Sequence, residues 1–290
     1  MGFFSSNTSE GPQELVDLTE KDFDNFRKLI YQKSGISLND TKKELLRTRL
    51  RGRLVREGYK SYSEYFEFVK KDKTGNSLVP LLDDISTNLT SFFREKNHFD
   101  YLNMIMPEWI ARKERNGDFV FRIWSAGCST GEEPYSLIFT MLALLRGRAR
   151  NWSIKFLATD LSTEVLKKAA GGSYPQAKTD GVPPEFYRAY FEKDAPLKGV
   201  DMVKIRQDIR SMIMFKRFNL MTTHYPFKQQ FDYIFCRNVM IYFDKPTQET
   251  LVAKYYKYLK PGGYLFIGHS ESLTGLQHDF KYILPTIYQK

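Results

Sequence analysis

In the first 90 residues, apolar side chains recur every three or four positions, which is the spacing of one buried helix face. Thr19 and Asp22 have the Thr-x-x-Asp spacing of a helix start, and Gly58 is placed to end a later helix. Asn39 and Asp40 are expected to cap the helix that Gly58 ends. The pattern therefore predicts a small bundle of four helices.

A longer helical stretch, residues 96–115, is expected to be interrupted at Pro107, which lacks the N–H group that a helix interior uses. Beyond Gly117, short apolar runs alternate with helical stretches. These runs, the predicted strands, cover residues 119–125, 154–158, 231–236, 264–268 and 280–288. The alternation predicts an α/β domain with a doubly wound parallel sheet. Because no helix separates the last two runs, the final strand is expected to be antiparallel.

Residues 173–217 do not fit that alternation. Pro183 and Pro184 open a short helix, a loop follows, and alternating runs at 202–206 and 211–218 predict a small antiparallel β-subdomain inserted in the α/β domain. The expected division of the chain is a loose tail (1–16), an N-terminal helical domain with its linker (17–92) and an α/β domain (93–290).

The composition is that of a globular protein, since 42% of the 290 residues are apolar and 27% are charged. No apolar run approaches the roughly 18 residues of a membrane span, and no signal peptide is expected. Two cysteines cannot form a disulfide scaffold, and the four histidines lack metal-ligand spacing, so we expect no metal ion. These features fit a cytoplasmic protein best.

The net charge of +10 favours an acidic partner. Much of it lies in residues 42–60, where eight basic side chains accompany two acidic ones. Arg47, Arg51 and Arg53 recur there at about helical spacing. Two interpretations stay open: a solvated helix face, or a docking surface for an acidic partner.

The most informative segment is residues 123–136, where a predicted strand enters Gly127-x-x-x-Gly131 and then a helix. In a doubly wound sheet this turn lies beside the crevice at the carboxyl ends of the strands, and its glycines let a ligand approach the backbone. Glu132 and Glu133 open the helix and would repel a pyrophosphate. A ligand with a cationic or neutral centre fits better; the alternative is an ordinary strand–helix turn.

Two later segments place polar residues at the same edge of the sheet. Asp160 ends the second strand of the domain, where an acid can accept the ribose hydroxyls of an adenosine, and the alternative is a plain helix cap. Arg237 and Asn238 emerge after a later strand, and Tyr242 follows them.

The linker before the α/β domain contributes Asn88, Thr90 and Arg94. A polar triplet among apolar residues at a domain junction suggests a lid over the crevice. The alternative is a segment that only caps a helix and connects the domains.

Four of these segments resemble the chemotaxis receptor methyltransferases, and they read NLTSFFRE, WSAGCSTGEEPYS, FCRNVMIYFDK and LKPGGYLFIGHSES. The resemblance covers about residues 23–288. It implies an N-terminal helical domain followed by a Rossmann-like methyltransferase domain with an inserted three-stranded β-subdomain. It also implies methyl transfer from S-adenosylmethionine to glutamate side chains of methyl-accepting chemotaxis receptors, with S-adenosylhomocysteine as the product.

The resemblance further implies the site residues and partners. The cofactor contacts would be Asn88, Thr90, Arg94, Gly127, Glu133, Asp160, Asn219, Leu220, Arg237 and Asn238. Arg94 and Tyr242 would be catalytic and face the transferable methyl group. Arg47, Arg51 and Arg53 would dock on the acidic helical bundle of a receptor. In some members of the family the β-subdomain binds a receptor C-terminal tail, and for this chain that interaction stays open. A monomer recruited to membrane-bound receptor arrays is expected, with no nucleic-acid partner and no membrane insertion.

Two other functions remain as alternatives. A nucleic-acid methyltransferase would suit the charge, but adenine-N6 enzymes of this fold usually carry Asn/Asp-Pro-Pro-aromatic where this chain has Cys-Arg-Asn-Val at 236–239. A catalytically inactive regulator that binds S-adenosylmethionine is less consistent with the retained Arg94 and Tyr242.

Overall fold

A computed structural model of the protein describes residues 16–86 and 88–290, so all but the last residue of the predicted tail lies outside the described part. The chain divides into two compact units, one of residues up to 33 together with 37–85, the other of residues 34–36 together with 86–290. The division after residue 85 precedes the boundary expected at residue 92. The linker therefore belongs to the larger unit.

The smaller unit is helical, as predicted. Its helices are α1 (Glu20–Ser34), α2 (Lys43–Glu57), α3 (Tyr62–Lys71) and α4 (Leu78–Ile85), with a 3-10 turn at Asp40–Lys42. Thr19 and Asp22 form the expected capping box, in which each side chain accepts from the other's backbone N–H. Gly58 ends α2 in the left-handed conformation. The cap expected from Asn39 is not formed, because its Oδ1 instead accepts from the Thr41 hydroxyl at 2.7 Å.

The helical unit has its own apolar core. Phe26 of α1 packs edge-on against Phe66 of α3, with 5.3 Å between ring centroids. Leu46 and Leu50 of α2 are fully buried, which places the basic residues of that helix on its other faces.

The larger unit alternates strands with helices. Its strands are β1 (Val120–Ala126), β2 (Ser153–Asp160), β3 (Ser173–Pro175), β4 (Phe191–Leu197), β5 (Val200–Ile205), β6 (Ile213–Arg217), β7 (Phe231–Cys236), β8 (Leu259–Ile267), β9 (Lys281–Leu284) and β10 (Ile287–Gln289). Its helices are α5 (Lys96–Arg115), α6 (Glu132–Leu145), α7 (Thr163–Gly171), α8 (Pro184–Tyr190), α9 (Gln207–Arg210) and α10 (Lys245–Tyr258), with 3-10 turns at Arg148–Asn151, Gln176–Thr179 and Met240–Tyr242.

The main sheet has the order β6-β2-β1-β7-β8-β10-β9. The strands from β6 to β8 are parallel, and β10 pairs antiparallel with both β8 and β9. The doubly wound α/β fold and the antiparallel end of the chain are thus confirmed. The segment expected as one strand over 280–288 is two strands joined by a turn at 285–286.

The inserted subdomain is a three-stranded antiparallel sheet of order β3-β5-β4. Two details of the prediction are wrong. The stretch after α8 was expected to be a loop, but it forms β4. The run at 211–218 was assigned to the insertion, but it forms β6, which pairs in parallel with β2 at the edge of the main sheet. Its alternation is that of any half-buried strand and does not indicate which sheet it joins.

Pro107 does not interrupt α5, contrary to the prediction. The adjacent residues Met106, Trp109 and Ile110 are buried, and their packing outweighs the one hydrogen bond that proline removes. Along β1, neighbouring side chains enter different cores, since Ile123 packs in one apolar cluster and Trp124 in the other. Apolar side chains cover both faces, as a parallel sheet requires.

Candidate functional site

The predicted site residues of the larger unit follow the carboxyl ends of the parallel strands. Because these strands run in the same direction, their ends meet at one edge of the sheet. The chain winds outward from β1 to β2 and β6, then crosses back to β7 and β8. The reversal lies between β1 and β7, which is where doubly wound sheets open a ligand crevice.

The glycine turn after β1 is held tightly against the turn after β7. Gly127 has a φ of 106°, and a Cβ at this position would overlap the side chain of Val239. Gly131, with a φ of 99°, precedes α6, and a Cβ there would lie 2.9 Å from the Tyr174 hydroxyl. Both positions therefore require glycine for conformation and for space.

Asp160 joins the ends of β1 and β2. Its Oδ2 accepts the backbone N–H of Ser129 at 2.9 Å, and its Oδ1 accepts that of Ser162 at 3.0 Å. The N-cap of α7 is Ser162, whose Oγ accepts the N–H of Val165, and Asp160 in addition joins the turn after β1 to the start of α7. Since each carboxylate oxygen can accept two hydrogen bonds, Asp160 can hold the turn and ligand hydroxyls together.

Ser129 also connects the linker to this turn. Its hydroxyl donates to the backbone oxygen of Asn88 at 3.0 Å. Farther along the linker, the N–H of Phe93 donates to the hydroxyl of Ser136 on α6 at 2.9 Å. Thr90 lies between these two anchors and is half-buried. The linker is thus fixed along the β1–α6 turn, as the lid hypothesis requires.

A buried network of charges lies at the centre of the edge. The guanidinium of Arg237 is almost inaccessible, and it donates to Glu133 Oε2 at 3.0 Å and to Glu95 Oε2 at 3.1 and 3.2 Å. It also donates to the backbone oxygen of Arg94. Ser125 of β1 donates its hydroxyl to Glu133 Oε1 at 2.7 Å. One cation thereby joins the linker, the start of α6 and the end of β7.

The two carboxylates in this network have different electrostatic surroundings. Burial raises the pKa of Glu133, although Arg237 opposes that shift. For Glu95, burial acts in the same direction, but the charge of Arg237 and the backbone N–H of His269 outweigh it and lower the pKa. Of the two carboxylates, the charged form of Glu95 is therefore the more strongly stabilised, and both hold Arg237.

The loop after β6 carries Asn219 and Leu220. The N–H of the preceding Phe218 donates to the backbone oxygen of Asp160 at 2.9 Å, which brings this loop beside the end of β2. The Leu220 oxygen accepts from the Tyr225 hydroxyl at 2.7 Å and from Lys254 Nζ at 3.3 Å. These bonds hold in place the loop that carries the predicted ligand contacts, Asn219 and Leu220.

Arg94 and Tyr242 approach the edge from different segments. Arg94 is about one-third exposed, and its Nη1 donates to the Leu89 oxygen at 3.0 Å. Tyr242 is half-buried and ends the 3-10 turn that follows Asn238. Asn238 has a φ of 58°, which is unusual for a residue other than glycine.

Sequence reasoning missed three residues that build this site, namely Glu95, Ser129 and Glu271. Glu95 pairs with Arg237, and Ser129 donates its backbone N–H to Asp160. Glu271 accepts backbone N–H groups after β7 and β8. All three lie within or beside the motif segments. In the sequence, each of them is only an acidic or hydroxyl residue at the boundary of a strand or helix. Such a residue cannot be distinguished from a helix cap by sequence alone.

Glu95, His98 and His269 bring ligand-type atoms within 4.8 Å of one another, in the part of the chain that the structure describes. Both oxygens of Glu95 are already engaged, Oε2 with Arg237 and Oε1 with the N–H of His269 at 3.0 Å. The adjacent guanidinium would also repel a cation. The arrangement suits a hydrogen-bonded support better than a metal centre.

Of the three arginines predicted for docking on the smaller unit, Arg53 does not share the exposed face. Its side chain is only 13% exposed and pairs with Asp84 of α4 and Glu57 of α2. Arg47 is one-third exposed and pairs with Glu44 at 2.8 Å, while Arg51 is exposed. Arg53 therefore holds helices of the bundle together rather than presenting charge.

In the residues that the structure describes, no helix is both long enough and apolar enough to cross a membrane.

Comparisons with known proteins match both units to the same family. The SAM-binding domain model of the CheR methyltransferases matches residues 88–288, and the all-alpha domain model of the same family matches residues 21–86. A chemotaxis protein methyltransferase of Borreliella burgdorferi is 38% identical over 98% of this chain and 99% of its own length. Those of Salmonella typhimurium and Escherichia coli are 37% and 36% identical, each over 95% of this chain and 92% of their own length.

Proposed function

Because the chain belongs to the CheR family of S-adenosylmethionine-dependent chemotaxis protein methyltransferases, we propose that it esterifies the side-chain carboxylates of specific glutamates in chemotaxis receptors. The observation that carries this proposal is the buried Arg237, which joins the linker bearing Arg94 to Glu133 at the start of α6. Because Arg237 bonds to the backbone oxygen of Arg94, it supports the proposal that Arg94 acts on the substrate carboxylate beside the cofactor crevice.

The residues at the edge of the sheet fit S-adenosylmethionine. Gly127 and Gly131 open the backbone, Asp160 can accept ribose hydroxyls, and Glu133 offers a carboxylate to a cationic methionine end. Asn219 and Leu220 would flank the adenine. The other contacts, each in a segment that the network fixes, are Asn88, Thr90, Arg94, Arg237 and Asn238. When bound, S-adenosylmethionine supplies a methyl carbon that its sulfonium group activates for transfer.

The acceptor chemistry needs little more than positioning. A free glutamate has a pKa near 4.3, so at neutral pH it is already a nucleophile and requires no general base. Arg94 can hold one carboxylate oxygen by a charge-assisted bond and leave the other to attack. Tyr242 can orient the substrate and exclude water from the reacting atoms. We assign no metal ion to this reaction.

Two surfaces suit the receptor. Arg47 and Arg51 on α2 offer positive charge to an acidic helical bundle. β4 is an edge strand of the small sheet, so it can pair with an extended peptide such as a receptor C-terminal tail. We further propose that the protein acts in the cytoplasm as a monomer recruited to receptor arrays.

The test is transfer of a labelled methyl group to receptor-containing membranes. A glutamate methyl ester releases methanol in mild alkali, whereas N-methylated bases and amines do not. Label that stays alkali-stable, or that enters nucleic acid instead, would reject receptor esterification. Tyr242→Phe and a matched control, Tyr282→Phe on the exposed strand β9, then separate loss of chemistry from loss of fold.

A further inference from the structure

The segment from Arg237 to Phe243, here called the β7 turn, has a conformation that needs support. Asn238 has a φ of 58°, in the left-handed region, which is unfavourable for a residue other than glycine. Beyond it, the N–H of Tyr242 donates to the Val239 oxygen at 3.2 Å, and that of Phe243 to the Met240 oxygen at 3.0 Å. These short-range bonds form the 3-10 turn but do not fix its position against the sheet.

The buried carboxylate of Glu271 supplies that support from the end of β8. Its Oε2 accepts the N–H groups of Asn238 at 2.9 Å and Gly268 at 2.5 Å, and its Oε1 accepts that of Ile241 at 3.2 Å. Gly268 lies so close to the β7 turn that a Cβ there would be 2.5 Å from Asn238 Nδ2. Glu271 therefore connects the backbone of the β7 turn to the backbone at the end of β8, where the two lie close together.

A second side chain holds the carbonyl groups of the same turn. Gln248 of α10 donates its Nε2 to the backbone oxygens of Met240 and Phe243, each at 2.9 Å. The β7 turn is thus fixed by an acceptor for its N–H groups and a donor for its C=O groups. An amide at position 271 would present N–H groups to backbone donors, so this position requires a carboxylate.

We propose that Glu271 is a positioning residue for methyl transfer, which holds Asn238 and the turn bearing Tyr242 against the crevice without touching either substrate. The proposal rests on the site roles of Asn238 and Tyr242 given under the proposed function. Burial raises the pKa of Glu271, whereas its backbone hydrogen bonds oppose that shift.

Glu271→Gln tests the proposal directly. A lost hydrogen bond to a charged group is worth about 1.5–3 kcal/mol, so kcat for receptor methylation should fall roughly 10- to 100-fold. The KM for receptor should change by less than about threefold, since the docking surfaces are elsewhere. Because glutamine keeps one acceptor oxygen, amide hydrogen exchange should accelerate either at Ile241 or at Asn238 and Gly268 together, whichever faces the new NH2 group.

The matched control is Asp232→Asn at the opposite end of β7. Asp232 is also a buried carboxylate that accepts a backbone N–H, from Arg122 at 2.7 Å, and it pairs with Lys113 and Lys260. This variant should lower the melting temperature but leave kcat per folded molecule unchanged. Equal kcat in the two variants would show that Glu271 only stabilises the fold and would overturn the proposal.

Two further arms keep the outcomes distinct. If Tyr242→Phe and Asn238→Ala leave kcat unchanged, the site roles assigned to these two residues are wrong. If these two variants lower kcat and Glu271→Gln leaves it unchanged, the positioning role of Glu271 is wrong. If Glu271→Gln does not fold, Gln248→Glu interrupts the carbonyl side of the same turn. It must then reproduce the loss of kcat with an unaltered KM, and an unaltered kcat would reject the proposal.

Discussion

At the scale of single residues, Asp160 has a structural role that is compatible with its proposed role in cofactor binding. It fixes the backbone of Ser129 and of Ser162, and these bonds hold its carboxylate in place. A residue that is held so firmly requires little reorganisation when it accepts a ligand hydroxyl.

Replacing Asp160 should weaken cofactor binding. In Asp160→Asn, one oxygen becomes an N–H donor, so ribose hydroxyls and a backbone N–H lose an acceptor. We expect S-adenosylhomocysteine affinity to fall by about 1–3 kcal/mol, measured by calorimetry. Asp208→Asn, which alters an exposed carboxylate paired with Arg206, is the control and should leave affinity unchanged. Unchanged affinity in folded Asp160→Asn would remove Asp160 from the site.

Arg94 should affect turnover more than binding. Its backbone oxygen is held by Arg237, while its partly exposed side chain can meet the substrate carboxylate. Arg94→Ala should lower kcat roughly 10- to 100-fold, with a smaller loss of cofactor affinity. Arg150→Ala, at an exposed 3-10 turn that precedes β2, provides the control. Parallel losses of kcat and affinity would make Arg94 a cofactor ligand alone.

At the scale of elements, the pairing of Glu95 with Arg237 attaches the linker to the sheet. The pKa of Glu95 is lowered in the folded protein, so its ionised form is bound more favourably there than in the unfolded chain. This contribution is complete above the unfolded pKa near 4.5 and is lost as the pH falls through the lower, folded value.

The pH dependence of unfolding should therefore separate the wild type from Glu95→Gln. Denaturant titrations from pH 7 down to pH 3 should show the free energy of unfolding of the wild type decreasing below about pH 4.5. Glu95→Gln should be less stable at pH 7, and the difference should narrow as the pH decreases. A difference that stays constant over this range would mean that Glu95 contributes no charge-dependent stability.

Elements with periodic patterns were predictable from sequence, whereas their partners were not. The helices, most of the parallel strands and one strand of the insertion, β5, follow from periodicity, because burial dictates which positions are apolar. The assignment of β6 to the wrong sheet and the expected break at Pro107 both depend on tertiary contacts that no local pattern encodes. Likewise Glu271 acts on backbone groups, and these are the same for every residue type.

At the scale of the whole molecule, the cluster of basic residues at 42–60, which includes α2, is the feature most directly related to a partner. Arg53 is used internally, so any docking surface on α2 depends on Arg47 and Arg51. Such contacts are partly exposed and are screened by salt beyond about 8 Å at 0.15 M ionic strength.

Charge reversal on α2 should therefore slow receptor methylation in a salt-dependent way. Arg47→Glu with Arg51→Glu should raise the KM for receptor and flatten its dependence on salt, while the affinity for S-adenosylhomocysteine stays unchanged. Lys70→Glu with Lys71→Glu makes the same change of charge on exposed positions of α3. Equal KM values and equal salt slopes in both double variants would show that α2 is a solvated face.

The bonds of Arg237 also determine how late in synthesis this part of the protein can finish folding. Arg237 is 142 positions after Glu95 and 104 after Glu133. While the chain emerges from the ribosome, the two carboxylates are present long before the guanidinium that neutralises them, so the nascent segment must keep them hydrated. The bonds from Arg237 to the linker and to Glu133 can form only after β7 has been made. The centre of the enzyme is therefore assembled late, and chains released before residue 237 should stay open at this edge and be readily degraded.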